Sequence, residues 1–216
     1  MAFGDKMVWL NIPVTREEPV MKKNIRFACL AILLALALSG CGSLLYSQTA
    51  PEARDFHPQS IGVLPVDAGP FEEARDVVDD IIAAELVKRK WFRSVIAADA
   101  VRRSIESGDE LKKAVSDYLA KLKALSYSDP ELSRRIGGLM QADALLIARV
   151  DFWQYTTDGK DKFAKVGMGM DLVDAKSGRI VWKASHHLLE DYWVLKPELT
   201  GVAKKLTAMM IGEMPH

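Results

Sequence analysis

The chain has 216 residues, 49% of them hydrophobic and 27% charged, with 29 Lys plus Arg matched by 29 Asp plus Glu. That length holds one domain or two small ones, and the composition excludes a disordered or low-complexity chain. The even charge leaves no basic footprint for nucleic acid. Residues 1–40 hold the one dense apolar run. Residues 1–20 carry Asp5, Glu17, Glu18, Pro13 and Pro19, unlike the short basic start of an export signal, and read as a mis-assigned upstream start with Met21 as the true one. From Met21 a positive flank of Lys22, Lys23 and Arg26 leads into twelve residues, Phe27–Leu38, with no polar side chain. Twelve helical residues span about 18 Å, against about 30 Å of membrane hydrocarbon. The run is too short for a permanent span, and it lacks the polar stripe of a buried amphipathic helix.

Leu38-Ser39-Gly40-Cys41 resembles the bacterial lipobox, the four-residue pattern cut by lipoprotein signal peptidase. The resemblance implies that residues 21–40 are a lipoprotein signal peptide, with Leu38, Ser39 and Gly40 as its recognition residues. Cleavage before Cys41, a diacylglyceryl group on its thiol and acylation of the new amine would follow. Acyl chains at about 0.8 kcal/mol per buried methylene then anchor the protein durably to a membrane. No cofactor is expected beyond this covalent lipid. Of the two cysteines, Cys29 lies in the discarded run, so the mature chain keeps only Cys41 and forms no internal disulfide. Removing residues 1–40 takes away five basic and three acidic residues and leaves 24 against 26, so no basic attraction to anionic lipid is expected. Gly42, not Asp, follows the cysteine; by the enterobacterial lipoprotein rule this implies the periplasmic face of the outer membrane.

Residues 41–59, with Ser43, Ser47, Gln48, Thr49, Pro51 and Pro58 and no periodicity, read as a flexible tether. Residues 60–216 form one domain. It opens with a buried strand, Ile61–Val66, stopped by Pro65 and the turn residues Asp67, Gly69 and Pro70. A helix over 72–90 follows, with Val78, Ile81, Ile82 and Leu86 at helical spacing, acids early and Lys88, Arg89 and Lys90 late. Trp91–Ile96 reads as a second strand, and Asp99 as the cap of a short helix to Ile105. A helix over 110–125 presents Leu111, Val115, Tyr118 and Leu122 on one face. Asp129-Pro130 starts another that runs to Gln141. Three strands, 144–155, 163–173 and 180–188, come next. In the middle one Ala164, Val166, Met168, Met170 and Leu172 alternate with Lys165, Gly167, Gly169 and Asp171, one face buried and one wet. A last helix starts near Pro197. The predicted class is α/β: a single mixed sheet with helices packed on it, a C-terminal antiparallel three-strand meander, and an extra helical insertion over 108–125.

Three segments carry a further resemblance. The strand Ile61–Val66, the run Ala142-Asp143-Ala144 into Val150, and the hairpin Asp171–Asp174 to Ser177–Trp182 together resemble the TolB N-terminal-domain-like superfamily. That group includes the periplasmic domain of the curli secretion lipoprotein and the penicillin-binding-protein activator lipoproteins. It implies a binding or scaffolding domain of an envelope machine, with no catalytic residues to transfer. The channel-forming members insert membrane hairpins. Here that hairpin would bring Arg149, Asp151, Lys165 and Asp171 to lipid at a few kcal/mol each, which argues against a channel.

Chemistry is sparse. His186 and His187 are adjacent on a strand and point to opposite faces, so no metal site is expected. Gly167-Met168-Gly169-Met170 lies within a strand, not at a strand-to-helix turn, and reads as a place of close packing, not a phosphate loop. Asp143, Asp151, Asp171 and Asp174 read as turn caps or solvated groups. Of Trp153, Tyr155, Trp182, Tyr192 and Trp193, most are expected in or near the core. Trp153 and Tyr155 share the parity of Arg149, so these three are predicted to form a wet-face patch for a partner protein. The sequence reading is a non-enzymatic, lipid-anchored envelope protein that docks a periplasmic partner. The alternatives are a self-assembling accessory of transport or secretion, and a periplasmic hydrolase.

Overall fold

The computed structural model describes residues 44–216. The apolar run and Leu38, Ser39, Gly40 and Cys41 lie outside the described residues. Six strands form one sheet: β1 Tyr46–Thr49, β2 Ser60–Val63, β3 Ser94–Ile96, β4 Ala144–Asp158, β5 Asp161–Asp174 and β6 Ile180–Tyr192. The α-helices are α1 Arg75–Arg89, α2 Ala98–Ser107, α3 Asp109–Leu125, α4 Pro130–Met140 and α5 Leu199–Gly212. Spatial order is β1-β6-β5-β4-β2-β3. β3, β2 and β4 run parallel, while β4, β5, β6 and β1 are antiparallel. The chain is therefore an α/β protein with one mixed sheet and a C-terminal meander.

Different helices cover the two faces. On the first face α1 and α5 supply Ile82, Leu86, Leu206 and Met210, packed on Ile61, Val63, Leu146, Met168, Met170 and Leu172. All ten are fully buried. Each such side chain contributes roughly 1.5–3 kcal/mol of transfer free energy. On the second face α3 and α4 bring Val115, Tyr118 and Ile136 against Leu64, Leu145 and Val173. Tyr118 is fully buried, with its hydroxyl 2.8 Å from Ser128 Oγ. Burial pushes that phenol up to about 12.

Local chemistry explains most boundaries. Asp129 caps α4 by accepting from the Glu131 and Leu132 N–H groups at 2.9 and 3.1 Å, with Pro130 at the first helical position. Asp143 acts as a staple. It accepts from the Gln59 and Ser60 N–H groups and the Ser60 hydroxyl at 2.8–3.0 Å, joining the starts of β2 and β4. At the β4–β5 turn Gly159 takes φ 59°, the first of two turn residues, where a tight hairpin favours glycine.

Several expectations are corrected. The stretch read as tether is ordered from Leu44: β1 pairs with Trp182–Ser185 of β6, and Pro51–Asp55 forms a 3-10 turn. Ladder hydrogen bonds and the burial of Leu44 and Ala53 outweigh its polar composition. β3 starts only at Ser94, because Trp91 leaves the strand direction to stack on His216 with centroids 3.8 Å apart. Asp99 does not cap α2. Ala97 occupies that position, and Asp99 sits in the first turn with its carboxylate 2.7 Å from Arg103.

Candidate functional site

The predicted patch fails on one backbone feature. In the β4–β5 ladder Val150 pairs with Met168 and Phe152 with Gly167, leaving Asp151 as a bulge. One extra residue exchanges the faces of everything beyond it. Trp153 therefore joins the α1/α5 core at 7% exposure, beside Val166. Arg149, before the bulge, points to the other face with its side chain 49% exposed and its Nε 3.0 Å from Asp151. Tyr155 follows Trp153. Its hydroxyl donates to the Pro197 carbonyl at 2.9 Å, Tyr192 meets its ring edge-on at 6.0 Å, and the Lys196 ammonium lies 3.4 Å from the ring centre. Arg149, Trp153 and Tyr155 do not form one surface.

What Arg149 does line is a cleft of about 800 Å³ between the second half of α3 and the sheet. Leu119, Leu122 and Ile147 give it an apolar wall, and Arg149, Gly169, Asp171 and Lys183 form its floor. The Arg149 guanidinium fills the space a Cβ at Gly169 would take, so a larger residue there would push the end of that flexible side chain aside. The close approach foreseen at this glycine is thus a cross-strand arginine. Asp171, expected on a wet face, is buried; its side chain is 9% exposed, 3.5 Å from Lys183 Nζ. Its Oδ1 has no hydrogen-bond partner. Burial raises its pKa, against the pull of Lys183 and Arg149.

At the cleft's other end Asp79 is buried beneath Arg102 and accepts from the Val66 N–H at 3.0 Å. Burial pushes its carboxyl upward against those two bonds. Lys123 reaches from α3 to Asp67, 2.9 Å away, and holds that carboxylate below its usual range. Each basic residue of the cleft faces a carboxylate: Arg75 with Glu72, Arg102 with Asp76 and Asp79, Lys123 with Asp67, Arg149 with Asp151, and Lys183 with Asp171. One of these pairs, Lys123 with Asp67, ties α3 to the turn after β2, and the buried polar atom of the cleft without a partner is the Asp171 oxygen.

His186 lies opposite Met168 and His187 opposite Gly167, so the imidazoles stem from opposite faces. His186 Nδ1 accepts from the Leu45 N–H at 3.1 Å. His187 meets Phe152 edge-on at 6.0 Å. Burial lowers both pKa values. Among the described residues no three His, Cys, Asp or Glu side chains gather as metal ligands.

Two surfaces escaped the sequence reading. Among the described residues the helices of the α3 side cover Leu145, Ile147 and Val173, and the apolar core they form does not extend to Phe152, Lys165, His187 or Leu189. Leu189 is 46% exposed, and Lys165 sits 3.6 Å from the Phe152 ring centre. Among the described residues β1 pairs only with Trp182–Ser185, and no strand pairs with the outer edge of β6 from His186 to Tyr192. The second surface is the loop after β6, where Trp193, Val194 and Leu195 are 90%, 88% and 87% exposed. One signal was available. These three fall outside both the strand alternation before them and the helical spacing of α5 after them.

No protein-family model matches the chain, and no curated protein sequence matches it. The structure is similar to PelC of Paraburkholderia phytofirmans, solved as a dodecamer, with TM-score 0.49, 18% identity, and coverage of 81% of this chain and all of that one. It is also similar to lipoprotein GNA1162 of Neisseria meningitidis, with TM-score 0.47, 18% identity, and coverage of 73% and 100%. A Xanthomonas campestris protein, XCC0632, gives TM-score 0.46 at 10% identity over 76% of this chain and 87% of its own.

Proposed function

We propose that this chain is a lipid-anchored periplasmic protein of the outer membrane that serves a cell-envelope assembly by binding a protein partner, without catalysis. The order of segments that resembles the TolB N-terminal-domain-like superfamily fits this reading, and so does the lipobox. The observation that carries it is the half-bare sheet beside the β6 edge, with which no strand pairs among the described residues. A sheet edge without a partner strand offers backbone groups to another chain, and Phe152, Leu189 and Tyr46 flank it with exposed or half-exposed apolar surface. Among the described residues no helix is long and apolar enough to cross a membrane; in this reading the attachment is the acyl group on Cys41.

Crosslinking in intact cells with a photoreactive group at Leu189, followed by mass spectrometry, tests the reading. One dominant envelope protein at that position supports it, whereas diffuse labelling sinks it. The second reading, self-assembly, is favoured by the same open edge, because edge strands of identical copies can pair. Light scattering of the acylated protein in detergent separates the two: a stable ring of copies replaces the adaptor, and a monomer retains it.

A further inference from the structure

We infer that the Trp193-Val194-Leu195 loop is a second membrane contact, dipping into the same leaflet that holds the acylated Cys41. The inference rests on the anchoring reading above and adds an orientation to it. Single exposed apolar side chains are ordinary, but three adjacent large ones at 87–90% exposure are a surface waiting for an apolar phase.

The topology says which phase. β1 is antiparallel to β6, with Thr49 opposite Trp182 and Tyr46 opposite Ser185, and the Leu45 N–H reaches His186. Followed backward, the chain therefore moves along β6 toward its carboxyl end. Leu44 comes level with His187, and Trp193 lies about 20 Å further on in that direction. The described chain thus enters β1 from the end of the sheet that carries the loop.

The same end carries the β4–β5 turn, where Lys162 pairs with Tyr192 and Asp158 with Asp161. Around the loop stand Tyr155, Tyr192, Lys160, Lys162 and Lys196, the aromatic and lysine mixture that favours a membrane–water boundary. Asp158, Asp161 and Asp191 balance the lysines, so the contact is apolar and not an attraction to anionic lipid. A protein partner for this loop would have to enter between the domain and the membrane to which it is tied.

The test uses the full chain, purified with its acyl groups and reconstituted into phosphatidylethanolamine–phosphatidylglycerol vesicles, with the mass of the amino-terminal peptide recorded. Emission of Trp193 is taken as the difference between the native protein and Trp193→Phe. With acyl-chain-brominated lipid that emission should fall about twofold or more, and acrylamide should no longer quench it. Replacing Val194 and Leu195 by Ser should weaken the bromolipid quenching while leaving the unfolding midpoint unchanged. An acylated, vesicle-bound protein whose Trp193 remains open to acrylamide overturns this inference and leaves the anchor standing. Trp193 shielded from acrylamide yet untouched by bromolipid overturns it in favour of a protein or a second copy. A chain without acyl groups overturns the anchor, and this inference with it.

Discussion

The two faces of β5 differ more than any two regions of sequence in this protein. On one face Ala164, Val166, Met168, Met170 and Leu172 are all fully buried under α5 and its neighbours. On the other, alternate residues of the same strand give Lys165, two glycines and Asp171, bordered by Arg149 and Lys183. The first face is a continuous apolar layer whose free energy grows with area. The second places ion pairs and an unpartnered carboxylate oxygen in a partly dry cleft, where desolvation offsets most of the Coulombic gain. The α1/α5 side is therefore apolar along the whole of β5, whereas the α3 side joins an apolar core at Leu145, Tyr118 and Val173 to a polar cleft at Asp171.

The largest test of that contrast is the position the bulge moved. Trp153→Ala should lower unfolding free energy by about 3–5 kcal/mol in urea denaturation, as for a buried aromatic. Arg149→Ala, four residues earlier on the opposite face, should change it by less than about 1 kcal/mol, as for an exposed ion pair. Equal, small losses at both positions would mean that Trp153 lies on the solvent side and that the parity switch is wrong. Next in size is Arg102→Met, which leaves Asp79 buried with only the Val66 N–H for company. A loss of about 2–4 kcal/mol is expected. Adding Asp79→Asn should recover a good part of it; no recovery would show that Arg102 acts through packing alone.

These cases also mark what was legible in the sequence. The alternation in β5 and the helical spacing of Ile81, Ile82 and Leu86 identified the first face correctly, because burial on both sides of that contact follows period. Asp129-Pro130 announced α4, because capping chemistry is local. The bulge at Asp151 was not legible. Its cause is the register between β4 and β5, and a single extra residue then reversed the assignment of Trp153. The edge strand β1 was missed for a related reason: four exposed residues gain their order from pairing with β6, not from their own composition. Likewise Asp171 looked solvated, since nothing in its own strand shows that α3 passes over it. The site is built from long-range placement, and local pattern reports only half of it.

Asp171 gives a smaller, pH-dependent test of the polar face. Burial raises its pKa in the folded protein, so the native state binds more protons than the unfolded one just above the ordinary carboxylate range. Stability then falls as pH rises through that window. Asp79 moves in the same direction, which makes the comparison with Asp171→Asn necessary. The variant should gain on the native protein, by about 1 kcal/mol or less, as pH climbs from about 4 toward neutrality. A constant gap between the two across that range would place the Asp171 carboxylate in water.

The smallest effect belongs to His186 and His187, which burial holds below the usual histidine value, with Glu213 opposing the shift at His186 and Lys165 reinforcing it at His187. Here the unfolded chain binds the extra protons, so the sign reverses. The contribution is present above about pH 6.5 and is lost as pH falls through the lowered folded values. The native midpoint should drop on acidification from about pH 7 to pH 5.5, and the double variant His186→Gln, His187→Gln should remove most of that slope. Protonation of His186 Nδ1 also takes away the acceptor of the Leu45 N–H. The start of β1 should then exchange its amide hydrogens faster at pH 5.5 than its pairing to Ser185 would allow, while the amides of Met168 and Met170 stay protected. Uniform acceleration over both would indicate global unfolding and would break the distinction between the sheet's loose edge and its apolar centre.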